Sequence, residues 1–160
     1  MVGLRLVRLI ESHSHELATE LIKKMQSSPR TRGMRNVPSE ELQERAYEIL
    51  HHLSEWLLTK SEADIKERYQ QIGERRAEQG VPLSDYCWAM VLTKRHVWDF
   101  LQRQGFLRGP VELYGEIELL QLLDHFFDSA LCYAAEGYEQ YTQAQQVLVE
   151  RHSRVRAASN

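Results

Sequence analysis

The apolar positions of this chain recur three and four apart over nearly its whole length, the spacing of residues that share one face of an α-helix. Leu6, Ile10, His13, Leu17 and Leu21 mark such a face and predict a first helix from Leu4 to about Met25, stopped by Ser27-Ser28-Pro29. A loop follows, with Arg30, Arg32 and Arg35 around Gly33, and ends at Val37-Pro38. Pro38-Ser39 opens a second helix, with Glu40 and Glu41 in its first turn, where the backbone dipole favours negative charge. The apolar face of that helix is Leu42, Ala46, Ile49, Leu50, Leu53, Trp56 and Leu57. Ser61-x-x-Asp64 reads as a capping box and begins a third helix. Ile65, Tyr69 and Ile72 share a face of it, the next position on that face is Arg76, and Gly80 ends the helix as a C-terminal glycine.

A fourth helix follows Pro82, striped by Leu83, Tyr86, Cys87, Met90, Val97, Trp98 and Leu101, with Lys94 intruding at mid-stripe. Gly105 and Gly109-Pro110 punctuate the next corner. From Val111 a fifth helix carries a core face of Leu113, Ile117, Leu120, Leu123, Phe127, Leu131 and Ala134. Beyond it, Ala134, Tyr138, Tyr141, Gln145, Leu148, His152 and Val155 alternate four and three apart, a heptad seam with two polar members. That seam reads either as a helix leaving the globular body to pair with its copy or as a periodic but frayed tail. The expected architecture is an all-α bundle of about five long helices, a body over 1–137 and a continuing signalling helix and tail over 138–160.

Composition narrows the class. At 160 residues, 42% hydrophobic and 27% charged, the chain is an ordinary globular domain large enough for its own core. A formal net charge of −3 gives no electrostatic reason to expect nucleic acid. Cys87 and Cys132 sit in helical context and read as small core residues in a reducing environment rather than as a disulfide. Met1 to Ile10 is apolar but interrupted by Arg5 and Arg8, with no small-residue cleavage site after it, and no apolar run approaches the roughly 18 residues of a membrane span. A cytoplasmic protein with no membrane partner is expected.

Seven histidines make metal and catalytic chemistry worth testing. His13 and His15 are two apart, and His51 and His52 adjacent, so neither pair shares a helix face. No His-x-x-x-His spacing appears, and His125 beside Asp124 and Asp128 reads as a surface charge cluster, so no metal is expected. Neither cysteine has a histidine at helix-face spacing, and no nucleophile elbow or phosphate-binding glycine loop occurs. Catalytic residues are therefore not expected. His13 interrupts an apolar stripe, either satisfied by a neighbouring carbonyl or carboxylate or lining an internal pocket. His96, between Lys94-Arg95 and Val97-Trp98, is expected at a boundary. The basic loop reads as a solvated connection, with an anion or partner site as the sharper alternative.

At Ile72 to Trp98 the pattern becomes recognisable. Ile72-Gly73, then Arg76-Ala77-Glu78-Gln79-Gly80-Val81-Pro82 and Tyr86, resembles the proximal region of bacterial globin-coupled sensors, in which a histidine that ligates haem iron precedes a glycine by four positions with a tyrosine shortly after. Aligned on the glycine and the tyrosine, Arg76 occupies the ligand position. The wider layout, from the first helix through Tyr141, resembles the N-terminal sensor domains of RsbR-type stressosome regulators and related bacterial sensor kinases. That resemblance implies a globin-like fold without haem, a homodimer, and a signal passed along the C-terminal helix to an effector of kinase or STAS type. No such output domain is present, so the chain is expected to be an excised sensor domain or a stand-alone variant.

An arginine, protonated at neutral pH, has no lone pair for iron. Arg76 is expected either to be neutralised by Glu74 or Glu78 and reach solvent, or to present its donors to a pocket and select an anionic signal. With it, His13, Tyr69, Tyr86 and Met90 are the candidate pocket residues. Two alternatives remain open: a haem or tetrapyrrole sensor using His13, His51 or His96 as axial ligand, and a ligand-free scaffold.

Overall fold

The computed structural model describes residues 3–104 and 109–159, and among them there is no strand. The all-α expectation holds, with the order α1 (Gly3–Ser12), α2 (Ser14–Ser27), a 3-10 segment (Pro29–Asn36), α3 (Ser39–His51), a π turn (Glu55–Thr59), α4 (Glu62–Glu78), α5 (Leu83–Arg103) and α6 (Pro110–Ala158). No helix is long and apolar enough to cross a membrane among the described residues. The corner expected at Gly105 lies outside them.

Two expected helices are divided. The first breaks at His13, whose backbone leaves helical geometry at φ −110° and ψ 15°. The cause is local competition: the Ser12 hydroxyl donates to the Leu9 carbonyl at 2.8 Å, and His13 Nδ1 reaches the same oxygen at 2.9 Å. The second ends at His51, and the Glu11 carboxylate takes the Ser54 backbone N–H at 2.7 Å just beyond it. A π turn then widens the chain by one residue, closed by Lys60 N–H donating to Glu55 O, and buries Trp56. The basic loop is a 3-10 segment held from behind: Gly33 N–H donates to Asp85, Asn36 Nδ2 to Gly80 O, and the exposed Arg30 lies 4.0 Å over Trp88.

Helix α4 begins as the sequence predicts. Ser61 Oγ accepts from Asp64 N–H, and Asp64 accepts from Ser61 N–H, a complete capping box. It ends at Gly80, whose φ of +69° is the left-handed conformation that glycine adopts without strain. Tyr69 then meets Trp56 and Phe126 edge-on, with ring centroids 5.8 and 5.7 Å away, at the aromatic centre of the core.

The first turns of α6 correct the predicted face. Leu113 and Ile117 are half exposed, and the buried line is Gly115, Glu116, Leu119, Leu123, Phe126, Phe127, Ala130, Ala134 and Gly137. Apolar residues occupy so many positions between Val111 and Leu123 that periodicity alone cannot choose the face. Cys132 is also a correction: it is exposed, and Cys87 is half-buried, so neither is a core residue. Lys94, the charge within the α5 stripe, leaves the core sideways and pairs with Asp124 at 3.0 Å and Asp128 at 3.6 Å.

Helices α4 and α6 share the most extensive packing of any two elements. They cross with their backbones in contact at two glycines. A Cβ on Gly73 would meet the carbonyl of Ala134, and one on Gly137 the carbonyl of Gln70. Gly137 is the last buried residue among those described. Tyr138 and Tyr141 are half-buried, the Tyr138 hydroxyl donating to Val81 O at 2.7 Å, and from Thr142 to Ser159 every residue is exposed.

Candidate functional site

The four elements around α4 leave a cavity of about 50 Å³. Tyr69, Ile72 and Arg76 reach it from α4, Tyr86, Met90 and Thr93 from α5, with Leu21, Met34 and Leu42 closing the apolar side. Four of the five candidate pocket residues, Arg76, Tyr69, Tyr86 and Met90, are thus brought together. His13 is not: it packs on Phe100 at 5.3 Å and is satisfied by the Leu9 carbonyl, the plainer of its two readings.

Arg76 is only 2% exposed, as its place on the Ile65–Tyr69–Ile72 face requires. Its partner, however, is neither Glu74 nor Glu78, and it does not reach solvent. Arg76 Nη1 donates to Glu41 Oε1 at 2.7 Å and to Gln79 Oε1 at 2.8 Å, and Gln79 Nε2 closes the triangle onto Glu41 Oε2 at 2.8 Å. Sequence reasoning saw Glu41 only as a first-turn acid of its own helix, because a pairing 35 positions long leaves no local signature. Burial pulls the Glu41 carboxyl upward, but the Arg76 and Gln79 hydrogen bonds and the Arg76 charge outweigh it and hold the group below the usual carboxylate range. Beside this triangle, Glu48 receives Arg68 in a two-point contact at 3.2 and 3.0 Å and Arg45 at 2.6 Å.

Burial raises both tyrosine hydroxyls well above their ordinary value, so both are neutral donors. Both side chains line the cavity together with Arg76.

The histidines named as alternative haem ligands lie elsewhere. His51 is exposed, stacked on Tyr47 and bonded to Ser14 Oγ at 3.2 Å. His96 corrects the boundary reading, because it is 1% exposed. The Lys24 ammonium at 2.9 Å can only donate to Nδ1, so Nε2 carries the proton and donates to Leu17 O at 2.9 Å. No histidine lines the cavity, whose 50 Å³ is far below the roughly 300 Å³ at which organic cofactor pockets begin. These residues do not fit a haem. No group of three or more His, Cys, Asp or Glu able to hold a metal occurs among the described residues.

Burial, and then the Lys24 charge, lower the His96 pKa from 6.5. In the unfolded chain His96 takes up a proton as pH falls below about 6.5 while the folded protein resists it, so the folded state loses stability on that side, by at most about 1.4 kcal/mol per pH unit. Urea midpoints between pH 7.5 and 5.5 are expected to fall more steeply in the wild type than in His96→Gln. Equal slopes would remove His96 from the acid sensitivity.

Comparison with curated proteins finds no match, and neither does comparison with solved structures. A family model does match, over residues 15–156, which spans α2 through nearly all of α6. The family is of the RsbR type to which the layout from the first helix through Tyr141 pointed. Its description is the N-terminal domain of the RsbT co-antagonist protein rsbRD, and with this much of the sequence matched the chain belongs to that family.

Proposed function

We propose that this domain is a non-enzymatic sensory module that works without haem, dimerises through the exposed part of α6, and relays a signal along that helix to a protein partner. The family description, a co-antagonist of RsbT, supports a regulatory role exerted on another protein. A cytoplasmic setting, a globin-like body over 1–137 and a signalling segment over 138–160 belong to the same reading. The observation that carries it is the continuity of α6. One unbroken helix begins beside the core, crosses α4 backbone to backbone, and projects for about 25 Å beyond Tyr141 at the usual 1.5 Å per residue.

That projection has no partner among the described residues. An isolated helix of this length is marginal in water, and its seam presents Leu148 and Val155, flanked by Val147 and Val149, to solvent. A second copy laid along the seam at Gln145, Leu148, His152 and Val155 would cover those residues. Tyr138 and Tyr141 stand at the root of the seam, where the Tyr138 hydroxyl ties α6 to Val81 at the end of α4. Cavity and exit helix are joined through α4, which turns Tyr69, Ile72 and Arg76 to the cavity while Gln70 and Gly73 touch α6. A small displacement of α4 would therefore reach the dimer, where two arrangements of the paired helices would differ in population.

Analytical ultracentrifugation tests the reading. The chain is expected to sediment as a dimer at tens of micromolar, and Leu148→Glu to sediment as a monomer with unchanged far-ultraviolet helicity in the body. A wild-type monomer at that concentration would overturn the paired-helix relay and leave α6 as a tail.

A further inference from the structure

The buried end of Arg76 is incompletely satisfied. Its Nη1 is committed to Glu41 and Gln79, but its Nε is buried with no hydrogen-bond partner among the described residues, although the side chain is only 3% exposed. A buried donor on a charged group without an acceptor is costly, and such groups are rare in folded proteins. Thr93 spends its hydroxyl on Ala89 O, and the neutral Tyr69 and Tyr86 phenols line the same cavity. The uncommitted Arg76 Nε can only donate, and the two phenol hydroxyls can donate as well.

Outside the cavity lies a second, more open pocket of about 240 Å³ that shares Arg45, Ile72 and Arg76 with it. Four arginines line that vestibule, Arg45, Arg68, Arg75 and Arg76, against Glu41 as its one acid. Counting Glu48, which pairs with Arg45 and Arg68, and Glu78, which pairs with Arg75, one positive charge remains in excess. The approach favours an anion, and the interior offers it donors.

We infer that the cavity between α3, α4 and α5 is a binding site for a small planar monoanion, a carboxylate or inorganic oxyanion of up to about four heavy atoms, held by Arg76 and the Tyr69 and Tyr86 hydroxyls. The size follows from the volume: 50 Å³ admits about four water-sized atoms at the 10–15 Å³ each requires. Charge follows from the arginine excess, and planarity from a guanidinium edge that pairs best with two coplanar oxygens. The apolar walls, Met34, Leu42 and Met90 among them, favour a ligand with a methyl-sized body behind its oxygens over one that is polar on every side. This deepens the sensory reading by naming the class of signal, but binding and relay are measured separately.

The test uses the full chain labelled with nitrogen-15 at arginine, titrated with sodium acetate and, in a second arm, sodium nitrate at constant ionic strength. Saturable movement of the Arg76 Nε–H resonance is expected in at least one arm. Tyr86→Phe, which keeps the ring and loses only the hydroxyl, is expected to weaken binding about tenfold, the size of one hydrogen bond to a charged group. Acetate binding more tightly than nitrate identifies a carboxylate with an apolar body, and equal binding identifies a small oxyanion; both support the site. No saturable movement up to 50 mM of either salt, meaning that the cavity holds water only, would overturn it. So would binding that Tyr86→Phe leaves unchanged. Sedimentation of the same samples reads the relay: binding without a change in the dimer keeps the site and removes its coupling to α6.

Discussion

Alanine at Gly73 or at Gly137 is expected to destabilise the fold by about 3 kcal/mol, read as a lowered urea midpoint with little change in slope. The direction runs against local propensity. A mid-helix glycine replaced by alanine ordinarily gains about 1 kcal/mol, since alanine is the better helix former. Here the added methyl on Gly73 would lie against the backbone of Ala134, its Cβ 2.7 Å from that carbonyl carbon and 2.9 Å from the Cα. The methyl on Gly137 meets the backbone of Gln70 in the same way, at 2.7 and 2.8 Å. Backbone in the middle of a helix cannot rotate aside as a side chain can, so the two helices must separate along their most extensive contact.

The double variant offers a sharper check. Once the first methyl has forced α4 and α6 apart, the second meets less resistance, so the two costs are expected to sum to less than their separate values. Either single variant matching or exceeding wild-type stability would mean that the helices cross farther apart. Because α4 carries the cavity residues on its other side, the same variants are expected to loosen whatever passes from the cavity to the exit helix.

Helix order was legible in the sequence because its signals are local. The Ser61–Asp64 box and the Gly80 end each act within one or two turns and appear in the structure where the residues predict them. Of the α5 stripe, Tyr86, Met90, Val97 and Leu101 are buried, whereas Leu83, Cys87 and Trp98 are only half-buried. The face that Arg76 shares with Ile65, Tyr69 and Ile72 was legible for the same reason, but whether its charged end turned inward or reached solvent was not. What was not legible depends on contacts far apart in sequence. The Glu41 partner comes from α3, the His96 partners Leu17 and Lys24 from α2, and the buried face of α6 from its crossing with α4. The break at His13 is the exception: Ser12-His13-Ser14 is a local signal of side chains competing for backbone, hidden beneath a regular apolar stripe.

The two halves of the Arg76–Glu41 pair are expected to differ in what their removal costs. Glu41→Ala leaves a guanidinium that is 3% exposed with Gln79 as its remaining acceptor, and an uncompensated buried charge costs about 3 kcal/mol. Arg76→Met leaves the carboxylate, which is 21% exposed and keeps Gln79 and, at 3.6 Å, Arg75, while methionine fills a similar volume. That variant is expected to cost about 1 kcal/mol, since the charge left behind is part-exposed and still has partners, unlike a charge left buried and unpaired. Acid then separates charge from packing. The Glu41 pKa is lowered from 4.5 in the folded protein, so its contribution is complete above that value and is lost as pH falls through the lower folded one. Urea midpoints of wild type and Glu41→Ala should therefore converge as pH drops below about 4.5. A gap that stays constant through that range, or an Arg76→Met variant as unstable as Glu41→Ala, would mean that Arg76 is held by its aliphatic stem and not by its charge. In that case Arg76 would be a packing residue, without the fixed positive charge that an anion site at the cavity requires.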